Sequence, residues 1–335
     1  MLRREELFAR LQGKVFDLLI IGGGIVGAGI ARDAAMRGLT VALVEQGDFA
    51  SGTSSNTSKL IHGGLRYLEH GHVRLVMEGL REQRILRTIA PAYVWAQSFL
   101  LPIYAGDRRS HWTINAGLGL YDLLACGRNI HLHRMLSAHR ALAREPGLRA
   151  DGLKAAGYYA DCQMDDARLC LANILQAVSF GAICVNYVRL RSFLKSNHRV
   201  CGGVVEDLRS HRTLELKART VVNATGPWSD RVRRLSDATA LRQLAPTKGI
   251  HLVVPRLAKA ALFVQARADG RMLFVLPWGT DATLIGTTES PVRSALETLT
   301  AEAEEVGYLL EEVNRILPGR HLGEGDIMAT FAGAR

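Results

Sequence analysis

The fold is decided by FDLLIIGGGIVGAGIARDAAMRG, which occupies residues 16–38. A short apolar run leads into a turn of three glycines, and an alanine-rich segment with helical spacing follows until Gly38 ends it. The next segment, TVALVE at residues 40–45, is typical of a second strand. This order of strand, turn, helix and strand predicts a β-α-β unit at the start of an α/β fold.

The turn carries the dinucleotide-binding pattern G-x-G-x-x-G, and its glycines are Gly22, Gly23, Gly24 and Gly27. Between a strand and a helix, such glycines let the backbone approach a pyrophosphate, which then faces the positive end of the helix. Glu45 ends the second strand, 21 residues after Gly24, where a carboxylate accepts hydrogen bonds from a ribose. The same charge repels a 2′-phosphate and disfavours NADP. A tight turn with only a structural role is the alternative.

A second unusual stretch is GTSSNTSKLIHGGLRY at residues 52–67. Its small hydroxylated side chains donate hydrogen bonds without bulk, and its glycines permit close approach to a ring system. Nicotinamide enzymes usually continue with further β-α units, whereas this chain enters the loop directly, so the sequence favours FAD. The residues predicted to contact the cofactor here are Thr53, Ser54, Ser55, Ser58, Lys59, Leu60, Gly63 and Gly64. An ordinary serine-rich surface loop, with Lys59 solvated, is the alternative.

Composition indicates a folded protein of about two domains. The 335 residues are 48% hydrophobic and 22% charged, and no apolar run reaches the roughly 20 residues of a bilayer span. The opening MLRREELFARLQ is too charged for a signal peptide, so we expect a protein kept inside the cell. The five cysteines, without a C-x-x-C, predict neither disulfides nor a zinc site, and His131 and His133 lack a matching partner for a metal.

The net charge is +10, from 42 Lys and Arg against 32 Asp and Glu. Such a field attracts anionic substrates, lipid headgroups or nucleic acid. No nucleic-acid motif accompanies it, so we expect no nucleic-acid partner, while a diffuse basic surface, an anionic ligand and a lipid surface stay open. An amphipathic segment at residues 2–15 is interpreted as a packing arm rather than a membrane anchor. An oligomer is compatible with the sequence.

The rest of the chain is interpreted from its periodicity. The sequence predicts a helix over residues 73–88, irregular and helical structure over residues 92–157, and a helix from Asp165 to Phe180. AICVNYV, RVCGGVVED, RTLELKA and TVVNATGPW follow as strands. Further strands in close succession, without long helices between them, predict an antiparallel sheet. A helix is expected over residues 300–317, before a last strand in DIMATFAGAR.

Six blocks in this order resemble the FAD-dependent, respiratory glycerol-3-phosphate dehydrogenases: FDLLIIGGGIVGAGIARDAAMRGL, GTSSNTSKLIHGGLRYLE, DDARL, NATGPW, KGIHLVVPR and IGTTE. The similarity covers residues 16–335. It implies the α/β fold shared with glycine and D-amino-acid oxidases, in which a FAD-binding Rossmann-like domain is interleaved with a mainly antiparallel β-sheet substrate domain. We expect the FAD-binding domain at residues 1–91 and 158–245, and the substrate domain at residues 92–157 and 246–335.

The resemblance implies oxidation of sn-glycerol 3-phosphate to dihydroxyacetone phosphate, with hydride passing to flavin N5. Electrons then pass to membrane quinone, which places the protein peripherally on the cytoplasmic membrane. A phosphate dianion calls for arginine, so Arg66 and Arg335 are predicted to bind substrate, with Tyr67 adding a hydroxyl. His62, with an unperturbed pKa of about 6.5, suits proton transfer near neutrality, and a structural histidine is the alternative. By the same resemblance the adenosine end of FAD is contacted by Val188, Ala224, Thr225 and Gly226.

Two features depart from the family pattern. Glu289 stands where the family has Asp after GTT, which lengthens a carboxylate by one methylene. The chain stops at Arg335, before the family's GGK-[LF]-T segment and C-terminal helical domain, so we expect a mobile Arg335, weak FAD binding and poor turnover. The alternatives are a flavin oxidase of amino or 2-hydroxy acids, a non-catalytic FAD-binding fragment, and a basic membrane or nucleic-acid adaptor.

Overall fold

The computed structural model describes residues 3–335, apart from the side chain of Arg66. Two β-sheets form the framework, and helices pack on both. The first elements in chain order are α1 (Arg4–Leu11), β1 (Val15–Ile21), α2 (Ile25–Met36), β2 (Val41–Val44), β3 (Leu60–Ile61), α3 (Leu65–Leu68), α4 (Val73–Ile89), β4 (Val94–Tyr104), α5 (His111–Leu124), β5 (Arg134–Ser137), α6 (Ala138–Arg144) and β6 (Leu153–Met164). The remaining elements are α7 (Asp166–Ser179), β7 (Ile183–Val185), β8 (Val188–Ser196), β9 (Arg199–Asp207), β10 (Thr213–Asn223), α8 (Ser229–Ser236), β11 (Thr247–Pro255), β12 (Ala261–Gln265), β13 (Met272–Trp278), β14 (Ala282–Gly286), β15 (Ser290–Pro291), α9 (Ala303–Ile316) and β16 (Ala329–Ala334).

The first sheet is built around the β-α-β unit, which confirms the prediction from the glycine turn. Its six strands follow the order β7-β2-β1-β10-β9-β8. The first four run parallel, and β9 and β8 are added antiparallel. Parallel strands covered on both faces require continuous apolar sequence, and every residue of β2 is buried. Ile20 packs with α2 and α7 on one face, while Leu19 packs with Leu11 of α1 on the other.

The second sheet follows the order β15-β11-β14-β13-β12-β4-β6-β3, with β16 paired to β11 and β5 to β6. Its pairs are antiparallel, as predicted, apart from β12 with β4, which run parallel. The helix α9 buries Leu309 and Val313 on one face of this sheet. The helix α5 packs Ile114 and Leu118 on the opposite face.

The prediction of irregular and helical structure for residues 92–157 is wrong in part. This region contains the long strand β4, which pairs antiparallel with β6. The second half of β4 is buried on both faces, so its sequence runs apolar without the alternation that identifies a half-buried strand. RTLELKA and TVVNATGPW were expected as two strands, yet the single strand β10 spans most of the first and continues into the TVVN of the second. The helix after Asp165 is confirmed, and α9 begins at Ala303 rather than residue 300.

Two strands of the second sheet lie in segments that were assigned to the FAD-binding domain. These are β3 and the second half of β6. The division into two interleaved domains stays a prediction. The packing arm is confirmed, because Leu11 of α1 is 1% exposed against the first sheet. Within residues 3–335, no helix combines the length and apolar character needed to cross a membrane.

Candidate active site

A cleft of about 1160 Å³ lies between the carboxyl ends of the central strands of the first sheet and β16. In parallel α/β sheets, ligands bind in the crevice outside these strand ends. Of the residues predicted to bind cofactor or substrate, this cleft is lined by Gly22, Gly24, Glu45, Thr53, Ser54, Val188, Ala224, Thr225, Gly226 and Arg335. Residues far apart in sequence therefore meet in one cavity, although their individual contacts with a ligand stay predictions.

The glycine turn leaves bare backbone at the start of α2. Gly22 has φ +110°, a left-handed conformation that glycine adopts without strain. A Cβ added at Gly27 would lie 1.9 Å from the carbonyl oxygen of Gly22, so only glycine lets α2 pack this closely on the turn. Gly23 lies behind the lining, where a Cβ would meet Phe49 at 2.7 Å. This geometry is the one that close approach of a pyrophosphate requires.

Glu45 enters the cleft with its carboxylate oriented by backbone donors. Its Oε2 accepts the N–H of Gly23 and its Oε1 accepts the N–H of Gly47, each at 2.7 Å. Each carboxylate oxygen has a second lone-pair position. The side chain can therefore also accept hydrogen bonds from ribose hydroxyls.

The hydroxyls of the loop after β2 hold the cleft together. Thr53 Oγ1 donates to the carbonyl oxygen of Ala334 at 2.6 Å, which links this loop to β16. Ser54 Oγ accepts the N–H of Ile25 at 2.9 Å and so caps the first turn of α2. Both side chains line the cleft. Their protein contacts already explain part of why small hydroxylated residues are placed here.

Lys59 is neither solvated nor part of the cleft lining in the described structure. It is 8% exposed, and its Nζ lies 2.7 Å from Asp166 Oδ1 and donates to the carbonyl oxygen of Ser55. Thr57 Oγ1 donates to the other Asp166 oxygen at 2.8 Å. Asp166 is thus more than the helix start that the sequence suggested, because it joins α7 to this loop. A direct contact between Lys59 and FAD stays a prediction.

Ser58 contacts a buried histidine that sequence reasoning did not select. Ser58 Oγ lies 2.9 Å from Nε2 of His251, which is 3% exposed and stacks on Phe331 of β16 with ring centroids 4.8 Å apart. Burial lowers the pKa of His251 to about 3, so the ring is neutral. Phe331 itself lines the cleft. The motif KGIHLVVPR therefore places an uncharged hydrogen-bonding group behind the loop that follows β2.

His62 follows the short strand β3, whose Leu60 and Ile61 pair with β6 of the second sheet. The His62 side chain is exposed, and its ring stacks with Phe274 of β13 with centroids 6.4 Å apart. Among the residues described for this turn, 62–65 and 67, none lines the cleft. His62 therefore lies on the substrate-sheet side of the molecule, and its catalytic role stays a prediction.

The glycines after His62 are packed too tightly for side chains. A Cβ at Gly63 would lie 2.6 Å from the Tyr121 hydroxyl, and one at Gly64 would lie 2.3 Å from the ring of Tyr67. Gly64 also has φ +79°. Tyr67 remains 39% exposed, so its side chain is partly accessible to a ligand. The prediction that Arg66 binds substrate concerns a side chain that lies outside the described residues.

Arg335 was expected to be mobile, but hydrogen bonds to β11 hold its backbone in place. Its N–H donates to the carbonyl oxygen of Thr247 at 2.9 Å, and its own carbonyl oxygen accepts from Thr247 N at 2.8 Å. Its Nη2 lies 3.2 Å from Glu289 Oε2. Glu289, the residue that departs from the family pattern, thus orients the guanidinium that lines the cleft.

Sequence reasoning also missed a buried polar network behind the His62 turn, formed by Gln83, Tyr121 and Asp161. These residues come from α4, α5 and β6. Gln83 lies between the charged residues Glu82 and Arg84, so nothing local marks it as buried, and single-sequence periodicity does not connect the three elements. Further cations of the cleft that were not selected are Arg189, Arg191 and Arg231.

A Rossmann-type sheet with a bare glycine turn, an oriented carboxylate on the second strand and a cationic cleft facing a second sheet defines a dinucleotide-dependent oxidoreductase. The dimensions of the cleft and the absence of room for Cβ atoms at the turn fit an extended dinucleotide such as FAD. The profile of the FAD dependent oxidoreductases matches residues 17–335, and the chain belongs to this family. Its cofactor is FAD.

Relatives with curated names support the same family. The chain is 41% identical to an alpha-glycerophosphate oxidase of Streptococcus pneumoniae, over 99% of this chain and 56% of that protein. It is 39% identical to an aerobic glycerol-3-phosphate dehydrogenase of Bacillus subtilis, over 100% of this chain and 60% of that protein. The chain thus spans between 56% and 60% of the length of these two relatives.

Solved structures show the same fold. A glycerol-3-phosphate dehydrogenase from Bacillus halodurans complexed with FAD superimposes with a TM-score of 0.83 at 33% identity, over 99% of this chain and 59% of that chain. Glycine oxidase from Bacillus cereus superimposes with a TM-score of 0.71 at 23% identity, over 96% of this chain and 84% of that chain. The second likeness concerns the fold alone. Both confirm the fold class expected from the sequence.

Proposed function

We propose that this chain oxidises sn-glycerol 3-phosphate to dihydroxyacetone phosphate with FAD. The observation that carries the proposal is that Arg335 lines the same cleft as the glycine turn and Glu45. A guanidinium suited to a phosphate is thereby joined to a dinucleotide site. The names of the relatives at 41% and 39% identity, an oxidase and a dehydrogenase of this substrate, favour the same reaction.

The substrate's phosphate is assigned to Arg335, with Arg66 and Tyr67 as further binding groups. A guanidinium donates two parallel hydrogen bonds to phosphate oxygens and carries a permanent charge. The ion pair with Glu289 leaves the guanidinium partly exposed, because the Arg335 side chain keeps 45% of its surface. The site is therefore open to an anion, and the surrounding positive charge attracts it.

The oxidation removes a hydride from C2 and a proton from the C2 hydroxyl. FAD, when bound, supplies the two-electron acceptor. His62 is proposed to accept the hydroxyl proton, since its imidazole is exposed and histidine is the side chain that most often serves as a general base. Gly63 and Gly64 let the turn pack closely against Leu80, Tyr121 and Tyr67, which holds the backbone next to this group in place.

We further propose quinone as the second electron acceptor and the inner surface of the cytoplasmic membrane as the place of reaction. The outer face of α5 supports this, because Trp112 is 77% exposed, Leu123 72% and Leu120 40%. Their helical spacing puts them on one stripe, and tryptophan favours membrane interfaces. Exposed Arg128 and Arg134 follow the helix and complement anionic headgroups.

Anaerobic mixing of the FAD-loaded chain with candidate substrates tests the reaction. Bleaching of the flavin absorbance by sn-glycerol 3-phosphate is expected, whereas glycine, D-alanine and 2-hydroxy acids should leave it oxidised. Reduction by an amino acid would identify an oxidase of the same fold. Loading with FAD but no reduction by any of them would indicate a non-catalytic flavin-binding protein.

Sedimentation with anionic phospholipid vesicles tests the membrane proposal. Trp112→Gln and Leu123→Gln are expected to weaken binding, while Leu175→Gln should not, because Leu175 is a comparably exposed leucine, at 50%, on the distant helix α7. Equal binding of all variants would disprove docking through α5. Turnover with a soluble quinone, compared with oxygen consumption, identifies the electron acceptor.

A further inference from the structure

Three buried polar side chains converge on the peptide units next to His62. Gln83 of α4 is 7% exposed, and Tyr121 of α5 and Asp161 of β6 are each 3% exposed. Gln83 Nε2 donates to the carbonyl oxygen of Ile61 at 2.9 Å. The Tyr121 hydroxyl accepts the N–H of Gly63 at 2.7 Å. One residue on each side of His62 is therefore held by a side chain from the protein interior.

Asp161 completes the arrangement by fixing both of these groups. Its Oδ1 accepts from Gln83 Nε2 and from the Tyr121 hydroxyl, each at 2.7 Å. The single hydroxyl proton of Tyr121 points to Asp161, which leaves the phenol oxygen to accept from Gly63. The amide nitrogen of Gln83 is likewise the end that faces two acceptors. The direction of every hydrogen bond is thus set by one carboxylate oxygen.

Packing makes the turn sensitive to this network. Gly63 lies so close to Leu80 of α4 that an added Cβ would meet it at 2.6 Å, and Gly79 approaches the Gly63 backbone. A buried polar group that loses its hydrogen-bond partner destabilises the fold more than an exposed group does, because water cannot replace the partner. The turn is therefore held between α4 and α5 and cannot shift without breaking buried hydrogen bonds.

We propose that Gln83, Tyr121 and Asp161 form a clamp that positions the His62 imidazole for proton transfer. These three are positioning residues, since they act on the substrate through the backbone of residues 61–63. The inference rests on the proposed function for the role of His62, but the restraint on the turn is independent of that role. It predicts that loosening the clamp lowers the rate of the chemical step more than it weakens substrate binding.

The first test measures the turn directly. In the FAD-loaded chain, Tyr121→Phe removes the acceptor of the Gly63 N–H, and amide hydrogen exchange in a peptide that covers residues 60–66 is expected to become about fivefold faster or more. The matched control is Tyr104→Phe, because Tyr104 is 4% exposed and its hydroxyl donates to the carbonyl oxygen of Arg149 at 3.1 Å. Tyr104 packs in the hydrophobic core under α9, on the other face of the second sheet from α5. That variant should leave exchange at residues 60–66 unchanged.

The second test separates binding from chemistry. Anaerobic stopped-flow reduction by sn-glycerol 3-phosphate gives the rate of flavin reduction and the substrate Kd. In Tyr121→Phe the rate is expected to fall roughly tenfold to hundredfold, as for a small misplacement of a catalytic group, with Kd changed less than about threefold. Asp161→Asn keeps an oxygen acceptor of the same shape and should rescue most of the rate that Asp161→Leu loses.

The outcomes distinguish the two hypotheses. Unchanged exchange in Tyr121→Phe, or faster exchange with an unchanged reduction rate, overturns the clamp. If the wild-type flavin is not reduced while exchange responds as expected, the proposed function fails and the restraint on the turn stands. Should Tyr121→Phe fail to fold, Gln83→Met, which removes the donor to Ile61 O, is measured in the same two ways with the same expectations.

Discussion

Glu289 Oε2 lies 3.2 Å from Nη2 of Arg335 and so fixes the guanidinium at the edge of the cleft. The same carboxylate is 3.8 Å from Nη1 of Arg271, which is not part of the cleft lining. The Glu289 carboxylate, which distinguishes this chain from the family pattern, thus lies near one arginine inside the cleft and one outside it. This cluster therefore contains both a proposed binding residue, Arg335, and a matched control, Arg271.

Arg335→Lys is expected to raise the KM for sn-glycerol 3-phosphate. Lysine keeps the charge but loses the planar fork that donates two bonds to phosphate. Loss of one charge-assisted hydrogen bond corresponds to about a tenfold to hundredfold change in affinity. Steady-state kinetics with a soluble acceptor gives the value. Arg271→Lys should leave KM within about twofold, since its partner pair is partly exposed and worth little. Equal effects of both substitutions would disprove a direct role for Arg335.

Asp166→Ala should strongly destabilise the chain. The substitution leaves the Lys59 ammonium, whose side chain is 10% exposed, without its counterion. Breaking a buried ion pair from one side costs about 3 to 5 kcal/mol of unfolding free energy. Urea denaturation monitored by tryptophan fluorescence measures it.

The neighbouring Asp165 supplies the control for Asp166. Its side chain accepts the Arg168 N–H at the start of α7, so Asp165→Ala should cost only about 1 kcal/mol, as for a helix cap. The double variant Lys59→Met with Asp166→Leu should be more stable than Asp166→Ala, because no unpaired charge is left. A loss for Asp166→Ala no larger than that for Asp165→Ala would show that the buried pair is unimportant.

The buried Asp161 predicts a specific pH dependence of stability. Burial raises the pKa of Asp161 to about 7, against hydrogen bonds from Tyr121 and Gln83 that lower it. Tyr159 and Cys162 face the same carboxyl, and their own pKa values are raised by burial and by its charge. A carboxyl with a raised pKa contributes stability that is fully present below about pH 4, its unfolded value, and lost as pH rises through about 7.

Asp161→Asn removes this titration. Between pH 4 and 7 the unfolding free energy of Asp161→Asn minus that of the wild type should rise by about 1.4 kcal/mol per pH unit at most. Asp207→Asn is the opposite control. Burial pulls the pKa of Asp207 up, but hydrogen bonds from Arg4 and Ser210 outweigh this and lower it to about 2. That variant should be less stable than wild type by a constant amount above about pH 4, with the difference shrinking only as pH falls from about 4 to about 2. A rise between pH 4 and 7 in both variants would contradict the assignment.

Local sequence predicted the parts of the site that neighbouring residues build. The glycine turn, Glu45 and α2 lie within 30 residues of each other. Over so short a segment, the hydrophobic periodicity and the spacing of the glycines are enough to predict the local structure. The sequence also identified Arg335 and Val188, through resemblance, as residues that later proved to line the same cleft. Periodicity failed at β4, because burial on both faces removes the alternation that marks a strand.

Tertiary contacts explain the remaining failures. Lys59 and Asp166 are 107 residues apart, and nothing local indicates that two common charged residues will meet and become buried. Gln83, Tyr121 and Asp161 likewise come from three elements and meet only when α4 and α5 pack against β6. The position of His62 beside β13 follows from the pairing of β3 with β6 rather than from the glycine-rich loop itself.

Gly27→Ala should abolish tight FAD binding, whereas Gly29→Ala should be tolerated. A Cβ at position 27 would lie 1.9 Å from the Gly22 carbonyl oxygen, so α2 must move away from the turn that approaches the pyrophosphate. Gly29 lies on the same helix with nothing within 4 Å of an added Cβ, and Gly29→Ala should stabilise α2 by up to about 1 kcal/mol.

Titration of both apoproteins with FAD, followed by flavin fluorescence, measures Kd. At least a hundredfold weaker binding is expected for Gly27→Ala, since about 3 kcal/mol or more of overpacking strain falls on the binding turn. Wild-type affinity in that variant would show that the cofactor does not depend on this turn.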